Sequence, residues 1–224
     1  MSRTFFEAPR WKEGVRHRIN EFAQEAARET PPGARVLDAG AGEGAYGRYF
    51  THARYETADL AVGDGTWDYS KVTYRCELTR IPVEDGRFDA VLCTQTLEHV
   101  PDPFAVTREL ARVLRSGGTL WVSVPFGSPV HQEPHDYWRY THYGLRRLLE
   151  ESEFRVEWIR PCGGYFQKLN HELSAFVGQV QPGFLLKWAV LPFFVVLRFA
   201  FHHLDRFDLG RRYTQNYVAR ATKR

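Results

Sequence analysis

The stretch RVLDAGAGEGAYGRYF, Arg35 to Phe50, holds two overlapping glycine spacings that imply different chemistry. Gly42, Gly44 and Gly47 fit G-x-G-x-x-G, in which a glycine follows a strand directly and a helix N-terminus faces a pyrophosphate. Asp38, Gly40, Gly42 and Gly44 fit D-x-G-x-G-x-G, with an acid at the strand end and Glu43 inside the loop. Two carboxylates repel a pyrophosphate but suit a ligand carrying ammonium and sulfonium charge, such as S-adenosylmethionine. The glycines are needed in either case, because backbone must approach the ligand closely through unusual torsions. Asp59, twenty-one residues after Asp38 and followed by Leu60, ends the next apolar run, where a carboxylate can accept from both hydroxyls of a ribose. The ordered pair, glycine loop then acid, favours methyl transfer. The alternative is nicotinamide-dependent hydride transfer through Gly42, Gly44 and Gly47. The bland readings are Asp38 as a helix N-cap and Asp59 as a solvated turn acid.

A second group lies in FGSPVHQEPHDYWRYTHYG, Phe126 to Gly144, where His131, Glu133, His135 and Asp136 fall within six residues. An imidazole near its neutral pKa can take the proton of an acceptor hydroxyl or amine. His135 beside Asp136 is the first candidate and His131 the second. The competing reading has Trp138 and Tyr140 buried, Arg139 paired to an acid, and the segment only locking the loop to the next helix. The spacing matches no familiar metal site, so no metal is expected. Gln95 is placed to reach the amino-acid end of a cofactor, while Cys93 reads as packing and His99 as a backbone-bonding residue at a helix start.

These residues require a scaffold, and the hydrophobic pattern supplies one. Val15, Ile19, Phe22, Ala23 and Ala26 recur at helical spacing up to Pro31-Pro32-Gly33. RVLDAG, YETADL, VTYRCEL, RFDAVLCTQ, GGTLWVSVPF and FRVEWIRP read as six strands, and AYGRYF as the start of a helix. DPFAVTRELARVLR reads as a helix ending at a left-handed cap at Gly117-Gly118, and Thr141 as the N-cap of HYGLRRLLEESE. Strands alternating with helices predict an α/β, doubly wound, mostly parallel sheet with ligands beyond the carboxyl ends of its strands.

With these motifs in place, the chain resembles the class I S-adenosylmethionine-dependent methyltransferases, in particular the type 11-like family, over about Arg35 to Glu151. VLDAGAGEG resembles the family's first motif, and Asp59 its ribose-binding acid. CELTRIPVEDGRFDAVLCTQTLEHVPDP resembles the third and fourth motifs. The resemblance implies that Glu77, where the family usually has aspartate, contacts the adenine amino group, and that Leu78 offers its N–H to the ring. It also implies a Rossmann-like seven-stranded sheet with an antiparallel last strand, NYVARATK. The expected organisation is a single methyltransferase domain: a helical cap over 1–30, a cofactor core over 31–164, an apolar insertion over 165–212 and the last strand over 213–224.

The insertion is the part the minimal fold does not need. In Gln181 to Arg212 the longest apolar run, Trp188 to Leu197, is half of what spans a bilayer, and Pro192 interrupts it. Two helical pieces lying in an interface are expected. Peripheral membrane contact through 181–206 with a lipid-linked acceptor, a lid over a large apolar acceptor, and a homodimer interface all stay open. After Asn170 the chain carries eight Lys and Arg against three Asp and Glu, yet the net charge of +3 does not suggest nucleic acid. Three cysteines far apart, and an N-terminal stretch without an apolar core, suit reduced thiols in the cytoplasm. The expected partner is a small-molecule, glycan or lipid-linked acceptor. A catalytically silent cofactor-binding adaptor is the alternative outside enzymes.

Overall fold

The computed structural model describes residues 14–63, 66–179, 184–208 and 212–224. They fall into two compact units, residues 19–160 with 216–224, and residues 161–215 with the described residues up to Arg18.

The larger unit carries the sheet. Strands β1 (Arg35–Ala39), β2 (Arg54–Asp59), β3 (Tyr74–Arg75), β4 (Phe88–Thr94), β5 (Leu114–Pro125), β6 (Phe154–Cys162) and β7 (Asn216–Lys223) lie in the order β3-β2-β1-β4-β5-β7-β6. β1 pairs parallel with β2 and β4, β4 parallel with β5, and β7 antiparallel with β5. The last strand is NYVARATK as expected. Strand order reverses between β1 and β4, so the ligand crevice falls beyond Ala39 and Thr94.

Central strands buried on both faces read as continuous apolar runs. Val91 and Cys93 of β4 and Leu120, Val122 and Val124 of β5 enter one core with Val106 and Leu110 of α2 (Pro103–Val113) and Leu145, Leu148 and Leu149 of α3 (His142–Glu150). Each buried leucine contributes about 1.5–3 kcal/mol relative to exposure. Trp121 of β5 instead meets Phe22 of α1 (Gly14–Glu29) and Trp158 of β6 edge-on, with ring centroids 5.6 and 5.8 Å away. Helix starts follow their cap residues: Asp102 accepts from Ala105 N–H at 2.9 Å ahead of Pro103, and Thr141 accepts from Gly144 N–H at 3.0 Å.

Three local expectations differ from the structure. α2 stops at Val113, four residues before Gly117, because Leu114 already pairs with Phe88 of β4; Gly117, at φ +72°, turns the chain inside the early part of β5. After the glycine loop the chain makes only a 3-10 turn, Ala45–Tyr49. Gly47 inside it weakens an α-helix by about 1 kcal/mol, and the Tyr55 ring lies 3.1 Å from where a Gly47 Cβ would stand. In the smaller unit, α5 (Phe184–Leu204) runs through Pro192 as one helix rather than two pieces. A proline removes one backbone bond and costs about 3 kcal/mol in a helix interior, which a 21-residue helix can bear.

In that smaller unit, α4 (Tyr165–Gln179) begins on two acids: Asp208 accepts from Tyr165 N–H at 2.7 Å and Asp205 from Gln167 N–H at 3.1 Å. Arg18 donates to Gln167 at 2.7 Å, and Arg198 of α5 donates to Asn170 at 2.9 Å. α5 leaves Phe193, Val195, Val196 and Phe199 exposed. No described helix is long and apolar enough to cross a membrane.

Candidate functional site

The loop after β1 is shaped by three left-handed glycines, Gly40, Gly42 and Gly44, at φ +79°, +53° and +66°. At Gly40 the need is also steric, because a Cβ there would stand 2.2 Å from the Thr96 side chain, on the segment after β4. The two loops flanking the switch point therefore touch backbone to side chain. Asp59, at the end of β2, holds the same loop: one carboxylate oxygen accepts from Gly42 N–H at 2.8 Å and the other from Ala61 N–H at 2.7 Å. Each oxygen retains a lone pair for a further donor. Leu60, between them in sequence, is exposed.

Asp38 is fully buried at the end of β1. One carboxylate oxygen accepts a hydrogen bond from Tyr55 OH, and the other has no partner among the described residues. Burial raises its pKa to about 7, against the lowering effect of Tyr55 and with Asp59 adding to the rise. Glu43 accepts from Asp68 N–H at 3.2 Å. The Trp67 ring next to it lies 3.0 Å from the position of a Gly42 Cβ and covers the loop. Neither Tyr55 nor Trp67 carried a signal in the sequence, since neither belongs to a spaced motif.

Glu77 and Leu78 follow the end of β3, tied to the site's edge by Cys76 N–H, which donates to the Asp59 carbonyl at 3.1 Å. The Glu77 side chain is exposed, with Thr79 OH donating to it at 3.4 Å, and the Leu78 side chain joins the core. Gln95 is left-handed at φ +50° and bound twice to Ser123 of β5: its N–H donates to the carbonyl at 3.0 Å and its side-chain amide to Oγ at 3.2 Å.

On the other side of the switch point, the segment after β5 is stitched to the 3-10 turn Leu97–His99 after β4. Tyr137 and Trp138 N–H donate to the Glu98 carbonyl at 2.8 and 3.3 Å. The Trp138 indole donates to Val100 O at 2.9 Å, and Tyr140 OH to Leu97 O at 2.8 Å. His135 is exposed, with Nδ1 3.2 Å from Tyr137 OH. His131 is half-buried, its ring edge-on to His99 at 4.8 Å between centroids. Asp136 is 2% exposed at its side chain, receives both Arg139 Nη groups at 2.6 and 2.7 Å, and accepts from His131 N–H at 2.8 Å. The Arg139 fork holds that carboxyl well below the usual carboxylate range. So His131, Asp136 and Arg139 form one group, and His135 stands at its solvent side.

Glu98 was not singled out in the sequence, yet its side chain is completely buried and neither carboxylate oxygen has a hydrogen-bond partner among the described residues. Desolvation pushes its pKa up to about 8.

This geometry has counterparts in known proteins. The model of a methyltransferase domain matches residues 37–122. An uncharacterized methyltransferase of Mycobacterium sp. (strain KMS) is 35% identical over 193 residues, 80% of this chain and 70% of that protein. The ubiquinone biosynthesis O-methyltransferase of Xanthomonas campestris pv. campestris (strain B100) is 40% identical over 113 residues, 44% of this chain; the matched part is 46% of that relative's length. Among solved structures, Burkholderia thailandensis 1,6-didemethyltoxoflavin-N1-methyltransferase, with its substrate and S-adenosylhomocysteine, aligns over 92% of this chain and 78% of its own. Its TM-score is 0.58 at 18% identity. Haemonchus contortus phosphoethanolamine N-methyltransferase 2, with S-adenosyl-L-methionine, aligns over 92% of this chain and 52% of its own, also with TM-score 0.58 and 18% identity. These two show the fold alone. The 35% identical relative and the methyltransferase-domain match over the glycine loop and its acid answer the question raised by the two glycine spacings: the chain belongs to the class I S-adenosylmethionine-dependent methyltransferases.

Proposed function

We propose that this chain transfers a methyl group from S-adenosylmethionine to a hydroxyl or amine of a small-molecule acceptor bound beyond β4 and β5. The observation that carries it is the Asp59 clamp on a loop of three left-handed glycines at the switch point. The residues fit the cofactor. The loop presents backbone without Cβ atoms at its glycines, and Asp38 offers one buried carboxylate oxygen that has no partner among the described residues. When bound, S-adenosylmethionine supplies a methyl group activated by its sulfonium.

In this reading Asp38, Gly40, Gly42 and Gly44 surround the methionine end, with Gln95 beside them. Asp59 and Leu60 meet the ribose, and Glu77 and Leu78 the adenine. Trp67 covers the glycine loop and limits water there. On the acceptor side, exposed His135 takes the proton, with Nδ1 turned toward Tyr137 OH and Nε2 left for the acceptor. Asp136 is held ionised by Arg139, so its part is to fix His131 rather than to accept a proton.

A lipid-linked acceptor is a second reading, favoured by the exposed apolar residues of α5. Calorimetric titration tests the first. S-adenosylmethionine and S-adenosylhomocysteine are expected to bind the wild-type chain, NAD is not, and Asp59→Ala should weaken both by about 100-fold, the scale of losing charge-assisted contacts. Binding of NAD alone would refute the reading. Binding without turnover across an acceptor screen would favour the adaptor.

A further inference from the structure

Glu98, His99 and His131 place one ligand atom each within 4.8 Å of the other two. They come from two different loops, which explains why the sequence spacing of His131, Glu133, His135 and Asp136 gave no metal signature.

Two independent features point to a cation. The first is Glu98, whose carboxylate is wholly buried and has no hydrogen-bond donor for either oxygen among the described residues. A carboxylate in such a place costs several kcal/mol unless a counter-charge meets it. His99 Nε2 stands 3.9 Å from Oε1, beyond a hydrogen bond. Arg139, the cation nearest in sequence on the facing loop, is committed to Asp136 and to backbone carbonyls.

The second feature is the way both imidazoles are held. His99 Nδ1 lies 2.6 Å from the His135 carbonyl. His131 Nδ1 lies 3.1 Å from the Pro129 carbonyl and 3.4 Å from the Asp136 carboxylate. A carbonyl only accepts, so both Nδ1 atoms carry a hydrogen, and Nε2 is the nitrogen each ring has left for a metal. Metal-bound histidines are held in this manner, one nitrogen donating to a carbonyl or carboxylate while the other ligates. The surrounding bonds therefore orient two imidazoles beside a carboxylate that has no hydrogen-bond partner among the described residues.

We propose that Glu98, His99 and His131 bind one divalent transition-metal ion, Zn2+ or a close relative, which holds and activates a hydroxyl of the acceptor. Two imidazoles and one carboxylate suit Zn2+, Fe2+, Co2+ or Mn2+ better than Mg2+ or Ca2+, which prefer oxygen. Around Zn2+, ligands at about 2.0–2.1 Å lie roughly 3.3 Å apart. Binding draws the three ligand atoms, now within 4.8 Å of one another, closer by about 1.5 Å. Three protein ligands leave a position for the acceptor oxygen.

The role rests on the methyltransferase reading; the binding of the ion does not. In that role the ion lowers the pKa of the bound hydroxyl. The O–H proton passes to His135 or solvent, and the oxygen lone pair forms the bond to the methyl carbon. The C–S bond breaks with its electron pair remaining on sulfur, and the ion keeps its oxidation state. The products are a methyl ether and S-adenosylhomocysteine. The site therefore narrows the acceptor to an oxygen nucleophile.

Full-length chain stripped with chelator is titrated with Co2+ and the visible d–d bands are followed, with Zn2+ measured by competition against a chromophoric chelator. One ion per chain is expected, with affinity falling at least about 100-fold in His131→Ala and in Glu98→Gln, the upper end of what disturbing a metal site's supporting residues costs. Glu98→Gln keeps the buried volume, and calorimetric binding of S-adenosylhomocysteine reports that each variant is folded. Co2+ and Zn2+ binding no tighter in wild type than in the two variants, with S-adenosylhomocysteine bound by all three, would overturn the metal site and leave the methyltransferase reading intact. Stoichiometric ion without any S-adenosylhomocysteine binding would uphold the site and strike the methyltransferase reading instead.

Discussion

Gly40→Ala isolates the contact on which the cofactor crevice depends. A side chain at φ +79° pays for the left-handed conformation, about 1–2 kcal/mol for a non-glycine residue. Its Cβ would also stand 2.2 Å from Thr96 Cγ2 and 2.3 Å from Thr96 Oγ1. Thr96 cannot swing aside freely, because it is nearly buried and its hydroxyl donates to the Thr94 carbonyl at 3.0 Å. Overpacking of this kind costs about 1–3 kcal/mol. The sum is about 3 kcal/mol, which shifts the urea midpoint of a chain this size by roughly 1 M at an m-value of about 2–3 kcal/mol/M. Thr96→Ala in the same chain removes the two nearest atoms but leaves its own Cβ at 2.8 Å. The double variant should therefore recover only about 1 kcal/mol, read as a coupling energy. S-adenosylhomocysteine affinity, measured by calorimetry, should fall in Gly40→Ala and return in part in the double variant. A midpoint within about 0.2 M of wild type, or a double variant no better than the single, would refute the claim that the two loops meet at this point.

Other perturbations test other parts. Asp38, with its folded pKa raised to about 7 from 3.8, keeps its proton while the unfolded chain loses it, so stability falls as pH rises from about 4 to 7. Asp38→Asn should flatten that slope, the difference between the two proteins reaching on the order of 4 kcal/mol in urea melts; parallel profiles would refute it. Arg139→Ala leaves the buried Asp136 carboxylate without its fork and should cost about 2 kcal/mol, less than a wholly buried pair because Arg139 is partly exposed, with Arg139→Lys intermediate. Phe193→Asp with Val196→Asp, at positions 64% and 67% exposed, should abolish flotation on anionic liposomes and leave S-adenosylhomocysteine binding unchanged; persistent flotation would exclude this face as the docking surface.

Much of the scaffold was legible because it rests on local rules. The Thr141 cap and the left-handed glycines follow from side-chain capping and missing Cβ atoms, each readable within a few residues, whereas the seventh strand was implied by the family resemblance. Errors arose where a distant partner decided. α2 ends early because Leu114 finds Phe88, and the turn after the glycine loop stays 3-10 because Tyr55 closes over Gly47. The site divided in the same way. Asp38 and Asp59 stood out by position at strand ends. The Tyr55 bond to Asp38 and the Trp67 cover over Gly42 depend on packing between loops. Glu98 drew no reading from the sequence, since burial of its carboxylate depends on the segment after β5 that is bonded to its turn.

That fold-over has an evolutionary corollary. The bonds joining the segment after β5 to the turn after β4 end on main-chain oxygens, those of Leu97, Glu98, Val100 and His135. A peptide carbonyl is present whatever side chain the residue carries. The fastening is thus indifferent to drift at Gln132 and Glu133, whose side chains donate none of these bonds, and depends on the donors Trp138, Tyr140 and His99. A lineage built on this chassis can change what it methylates by point substitutions in one short segment, while the cofactor half stays constant.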